Sequence, residues 1–151
     1  MAEQTAKTNM YVIGSEYESG GAGLVSTVGG MIKFADALAC GGVGANGGRI
    51  LSRASIEMMR TPMLNDNQRK TFVWDQLGSS YSYGLGVRTH VDPRGGCLMP
   101  VGEFGWSGAA GAMLLSSPEL KLSVYYAQHM LNNKEATIQP RLRNVIAACV
   151  M

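Results

Sequence analysis

The run Glu103-Phe104-Gly105-Trp106-Ser107-Gly108-Ala109-Ala110-Gly111 leads, through Ala112, into the apolar stretch Met113-Leu114-Leu115. Few local structures suit such a run. Small residues on both sides of a polar triplet strip side chains from a strand. Glycine inside a strand marks a bulge or a close backbone approach. The apolar stretch that follows demands burial. The run therefore reads as a strand lining a cleft. Its edge can offer a backbone N–H to an oxyanion or pair with an extended ligand. The competing reading is structural: small residues let a terminal helix pack closely.

The rest of the chain supplies a frame for that strand. Residues 1–19 read as a tail with an entry strand around Tyr11-Val12-Ile13. Ser26 or Thr27 can cap a helix, whose apolar stripe is Met31, Phe34, Ala35 and Leu38. Gly41-Gly42 ends it. Ser52 opens a second helix, with Leu51 and Ile56 spaced as a hydrophobic staple, and Thr61-Pro62 closes it. Asn65 to Ser79 reads as a polar surface excursion, with Phe72, Val73 and Trp74 folding back. Three antiparallel strands follow: Ser80–Thr89, Gly102–Ser116, and one through Leu122, Val124 and Tyr126. Pro140 suits the first turn of a last helix, with the stripe Leu142, Val145, Ile146, Cys149 and Val150 facing the sheet. The expected fold class is α+β, an antiparallel sheet packed with helices.

Bulk properties exclude several functions. Hydrophobic residues make up 46% of the 151 and charged residues 16%, so the chain can bury a core. A net charge of +2 with scattered Arg and Lys gives no nucleic-acid footprint. No apolar run approaches the roughly 18 residues a membrane helix needs. Three distant cysteines, Cys40, Cys97 and Cys149, form no disulfide framework or zinc pattern. Their odd number, and a polar start without signal character, favour a reducing, cytoplasmic compartment. No metal site is expected, because His90 and His129 form no metal pattern, and no cofactor, because the glycine runs match neither dinucleotide nor P-loop spacing.

The candidate chemistry is narrow. No serine is followed three residues later by lysine, so the Ser-x-x-Lys pair that lets an amine deprotonate a hydroxyl is missing. Gly105-Trp106-Ser107-Gly108-Ala109 approaches a nucleophile elbow but ends in alanine, and it runs strand into strand. Ser107 as an independent nucleophile is the minority reading, as are a Cys/His pair and a Ser-His-Asp set using His90 or His129 with Asp92. Among the carboxylates, only Glu103 lies beside the motif.

Three segments, in order, resemble the serine β-lactamase-like family, which groups class C β-lactamases, penicillin-binding D-alanyl peptidases and related esterases. Gly20-Gly21-Ala22-Gly23-Leu24-Val25-Ser26-Thr27, with the helix through Phe34 and Leu38, resembles its "GGL-ST" loop and helix. Tyr83-Gly84-Leu85-Gly86-Val87 resembles its "YGLGW" strand. Phe104 to Gly111 resembles its "FGHGG-x-x-G" strand. The third catalytic box of that family then falls on Trp106, Ser107 and Gly108. The resemblance implies that Ser107 hydrogen-bonds the substrate and that the N–H of Ala109 is one of two oxyanion donors, with Tyr83 on the substrate side. It implies a β-lactamase-like fold from residue 20 to residue 151.

The family's Ser-x-x-Lys and Tyr-x-Asn boxes precede its "GGL-ST" loop, and neither occurs in this sequence. The chain therefore reads as the C-terminal part of a serine hydrolase acting on an ester, amide or lactam, with the nucleophile outside it. Trp106, where a β-lactamase has lysine, favours an esterase-like parent. The alternative is a non-catalytic module of the same fold that binds a peptide or protein. Either way, apolar sheet surface without its partner half is expected to promote self-association.

Overall fold

The computed structural model describes residues 20–21, 24–72, 80–130 and 134–150. The tail, the entry strand at 11–13, and Val73 and Trp74 lie outside them. Helix α1 spans Val28–Ala39. Thr27 caps it, its hydroxyl oxygen accepting the Gly30 N–H at 3.0 Å, which satisfies one of the unpaired donors of a first turn. Helix α2, Arg53–Arg60, begins the same way on Ser52, whose hydroxyl oxygen accepts the Ser55 N–H.

The excursion expected from Asn65 contains a third helix, α3, Asp66–Thr71. A reciprocal capping box starts it: Asn65 Oδ1 accepts the Gln68 N–H and Gln68 Oε1 accepts the Asn65 N–H, both at 2.9 Å. Asn65-x-x-Gln68 is an N-terminal signature in its own right. Hydrophobic periodicity misses this helix because α3 buries none of its residues.

Among the described residues five strands, where the pattern predicts three, make the sheet: β1 Tyr81–Tyr83, β2 Arg88–His90, β3 Phe104–Ser107, β4 Met113–Ser117 and β5 Leu122–Tyr126. They run antiparallel in sequence order. Ser80–Thr89, expected as one strand, folds back between Tyr83 and Arg88. Gly102–Ser116, also expected as one, folds back between Ser107 and Met113. The reversals use left-handed glycines, Gly86 (φ 78°) and Gly111 (φ 94°), a conformation other residues rarely adopt.

The first hairpin is fastened to α2. The Met63 N–H donates to the Tyr83 carbonyl, the Leu85 N–H to the Met59 carbonyl and the Thr89 hydroxyl to the Arg60 carbonyl. In β3, Gly105 serves a close approach: a Cβ there would lie 2.0 Å from the Leu114 carbonyl oxygen of β4. The glycine admits a neighbouring strand rather than the terminal helix.

Alternation of side chains gives the sheet two covered faces. On one, Phe104 packs with Leu38 of α1 and Ile56 of α2. Full burial of a side chain the size of Phe104 contributes about 2–3 kcal/mol. Two hydroxyls fasten α1 to this face: Ser116 donates to the Ala35 carbonyl at 3.1 Å and Ser123 donates to Asp36 Oδ1. Helix α1 buries Ala35, Ala37, Leu38 and Ala39, while Phe34, expected in the stripe, is 47% exposed. Close seating on alanines turns Phe34 off the sheet.

The other face carries Tyr81, Cys97, Met99 and Leu115 against Ala147 and Ile146 of helix α4. Helix α4 spans Glu135–Val150, so Pro140 lies inside it, beyond the expected first turn. Having no N–H, Pro140 leaves the carbonyl four residues earlier without its helical donor. The buried face is Gln139, Pro140, Arg143 and Ala147; Val145 and Val150, expected inward, are 60% and 48% exposed, and Cys149 is exposed. An apolar pattern cannot find this face, because Gln139 and Arg143 turn inward to polar partners on the sheet.

Candidate active-site wall

The motif occupies β3 and the reversal after it. Trp106 is half-buried, Ser107 is buried, and Gly108 and Ala109 are exposed. The reversal is closed by the Gly108 N–H donating to the Ala112 carbonyl and the Gly111 N–H donating to the Gly108 carbonyl, each at 2.8 Å. The Met130 N–H donates to the Ala110 carbonyl at 2.9 Å, which ties the segment after β5 to the same reversal.

Tyr83 and Trp106, separate in sequence, come together. Their ring centroids lie 5.4 Å apart at 70°, an edge-to-face pair, and Phe72 meets Tyr83 at 5.7 Å on a tilted axis. Such pairs are worth about 0.5–1.5 kcal/mol beyond burial. The pair joins the two family-like strands into one aromatic rail.

Ser107 faces the interior. Arg88 Nη2 donates to its hydroxyl oxygen at 2.7 Å, and the hydroxyl donates to Gln139 Oε1. Gln139 Nε2 in turn donates to the Gly111 carbonyl at 3.0 Å. Sequence reasoning missed Arg88 and Gln139. The available signal was an arginine within a tyrosine-rich strand and a glutamine four residues before Arg143 on a helix bound for the sheet.

Glu103 is buried, and Tyr81 donates its hydroxyl to Glu103 Oε2 at 2.8 Å. Cys97 Sγ lies 3.3 Å from the same phenolic oxygen. The guanidinium carbons of Arg88 and Arg143 stand 5.3 and 5.5 Å from the Tyr81 ring centroid, within cation–π range. Burial first, then the Glu103 charge, push the ionisation of Tyr81 well above the ordinary tyrosine value.

The other candidates fall elsewhere. His90 is buried with Nδ1 3.0 Å from the Pro100 carbonyl oxygen, and the Asp92 carboxylate is engaged by Arg94. His129 is exposed. Cys40 and Cys149 are exposed thiols, and Cys97 is a buried one held against Tyr81. Among the described residues no three His, Cys, Asp or Glu side chains group as metal ligands, and no helix is long and apolar enough to cross a membrane. A cavity of about 530 Å³ lies between the end of α1, α2 and the β4–β5 turn, lined in part by Leu38, Cys40, Arg53, Ile56 and Lys121. No residue of the motif lines it, so the motif reversal, and not this cavity, remains the candidate site.

An antiparallel meander with α1 and α2 on one face, α4 on the other and a Trp-Ser-Gly triplet ending the central strand defines a β-lactamase-like hydrolase fold. The Beta-lactamase family model matches residues 2–148, and the chain belongs to that family. Among curated sequences it is 30% identical over 115 residues to the uncharacterized protein MT1414 and to protein Rv1367c, from two Mycobacterium tuberculosis strains. That match covers 70% of this chain and 27% of each relative, so the chain spans about a quarter of their length. Among solved structures, it superposes on EstCE1, a hydrolase with promiscuous acyltransferase activity, with a TM-score of 0.69 and 20% identity. That alignment covers 91% of this chain and 33% of EstCE1. It also resembles simvastatin synthase (LovD) from Aspergillus terreus, with a TM-score of 0.55 and 14% identity over 77% of this chain and 32% of that one. These structural likenesses establish the fold.

Proposed function

We propose that this chain forms one wall of a serine hydrolase site that transfers acyl groups from an ester, amide or lactam. The observation that carries the reading is the Trp106-Ser107-Gly108 triplet at the end of β3, opening onto the exposed Gly108–Ala109 reversal, with Tyr83 packed against Trp106. In this reading the Ala109 N–H is one oxyanion donor. A preorganised donor of this kind is worth about 3–4 kcal/mol to the transition state. Trp106 and Tyr83 line the acyl side. The nucleophile, its lysine and its tyrosine are supplied by residues beyond this sequence. Trp106 brings no cation to hold a carboxylate, which favours esters over β-lactams.

The test is exposure to a fluorophosphonate probe and to a labelled penicillin, read by intact mass. The expected result is no adduct on this chain. A form extended N-terminally to include a Ser-x-x-Lys segment should take the fluorophosphonate on that serine. A stoichiometric serine adduct on the 151-residue chain overturns the proposal.

A second reading is a non-catalytic module that binds a peptide, a protein or a second copy. Leu24 and Val25 favour it, at 86% and 99% exposure, with Phe34 exposed on the following helix. Light scattering across concentration tests self-association, and a strictly monomeric chain counts against the second-copy form.

A further inference from the structure

Four groups behind the motif form a hydrogen-bond chain with one possible direction. A guanidinium can only donate, so Ser107 Oγ accepts from Arg88 Nη2 and its proton is left for Gln139. The Gly111 carbonyl can only accept, so Gln139 must present its NH₂ there. The two ends together fix the orientation of the Gln139 amide: Oε1 toward Ser107, Nε2 toward Gly111. A chain that starts at a permanent charge polarises each later link in the same sense.

Ser107 is the residue before the motif reversal and Gly111 closes it. One side chain of α4 therefore holds both ends of the segment that carries Gly108, Ala109 and Ala110. Gly108 and Ala109 are exposed, Gln139 is 2% exposed, and Gly111 is buried in a left-handed conformation. The reversal is thus gripped from the interior while its tip faces outward.

We propose that Gln139 is a positioning residue for this reversal, fixing the direction of its tip N–H groups without touching substrate. The use of that direction in acyl transfer rests on the function proposed above; the grip itself does not. In this arrangement the Ser107 hydroxyl is a link of the grip, not a substrate ligand.

Amide hydrogen exchange, resolved by NMR on the 151-residue chain, tests the grip without any substrate, so its result stands whatever the fluorophosphonate experiment gives. In Gln139→Met, which keeps the volume, the Gly108 and Gly111 amides should exchange about tenfold faster. Those of Leu115 and Val124 in β4 and β5 should keep their wild-type rates. Ser107→Ala, which cuts one link and leaves the Gln139–Gly111 bond, should give a smaller increase at the same amides. An unchanged rate at Gly108 and Gly111, or an equal increase at every amide, overturns the proposal. In an N-terminally extended form that hydrolyses an ester, Gln139→Met should lower kcat and leave KM unchanged. A raised KM with unchanged kcat would make Gln139 a substrate contact and also overturn it.

Discussion

The Tyr81 hydroxyl donates to Glu103 Oε2 across 2.8 Å, beneath the strand that carries the motif. Because Tyr81 is buried and faces a carboxylate, its neutral form is favoured in the folded chain and its pKa is raised. The stability from this pair is fully present below the unfolded tyrosine pKa, near 10, and is lost as pH rises through the folded value. An alkaline titration followed at 295 nm should show a late step, absent in Tyr81→Phe. That variant should also lose about 1–2 kcal/mol in urea unfolding at neutral pH, since Glu103 gives up a donor.

Gly105 and Gly108 separate a packing role from a backbone role within the motif. A Cβ at Gly105 meets the Leu114 carbonyl oxygen at 2.0 Å, whereas one at Gly108 meets only the Ala112 oxygen at 3.9 Å. Gly105→Ala should destabilise the chain by about 1–3 kcal/mol, and Gly108→Ala by less than about 0.5 kcal/mol. Chemical unfolding of both variants checks the contrast, and equal values would contradict the close β3–β4 approach.

Phe104 is fully buried between the sheet and the first two helices. Phe104→Ala leaves a cavity that Leu38 and Ile56 only partly close, at a cost of about 3–5 kcal/mol. The expected readout is a lower urea midpoint with an unchanged slope, as the surface exposed on unfolding hardly alters.

The Arg94 side chain, and then its backbone N–H, hold the Asp92 carboxyl down to about 2 from the ordinary 3.8. The charged form is favoured, so any stability from the pair is present above the ordinary carboxylate range and fades as pH falls through about 2. Carboxyl NMR should find Asp92 titrating low. In Arg94→Ala it should move part of the way back, because the N–H at residue 94 still donates to Asp92 Oδ1.

The sequence was most legible where one local rule decides. Thr27 and Ser52 open helices as their capping chemistry dictates, and Thr61-Pro62 closes the second as steric exclusion requires. The α+β class and the antiparallel pairing follow from alternation and turn residues. Legibility failed where tertiary partners override local pattern. Gln139 and Arg143 face inward because Ser107, Gly111 and Tyr81 meet them there, and no one-dimensional pattern contains those meetings. The reversals at 84–87 and 108–112 were hidden because apolar alternation resumes after each one. In the candidate site, the triplet's position was readable; the inward turn of Ser107 was not, because it depends on Arg88, 19 residues away.

Every pairing among the described strands joins neighbours in sequence, so none has to close a long-range loop. The links holding α1 are of another kind: its bonds to Ser116 and Ser123 bridge 81 and 87 residues. During synthesis α1 emerges well before its seat on β4 and β5. Low contact order favours early formation of the meander, and α1 must wait for it with Ala35 and Leu38 uncovered. For this chain, the interval before α1 docks is the stretch of folding in which a stray apolar partner, or a second copy, competes best for that seat.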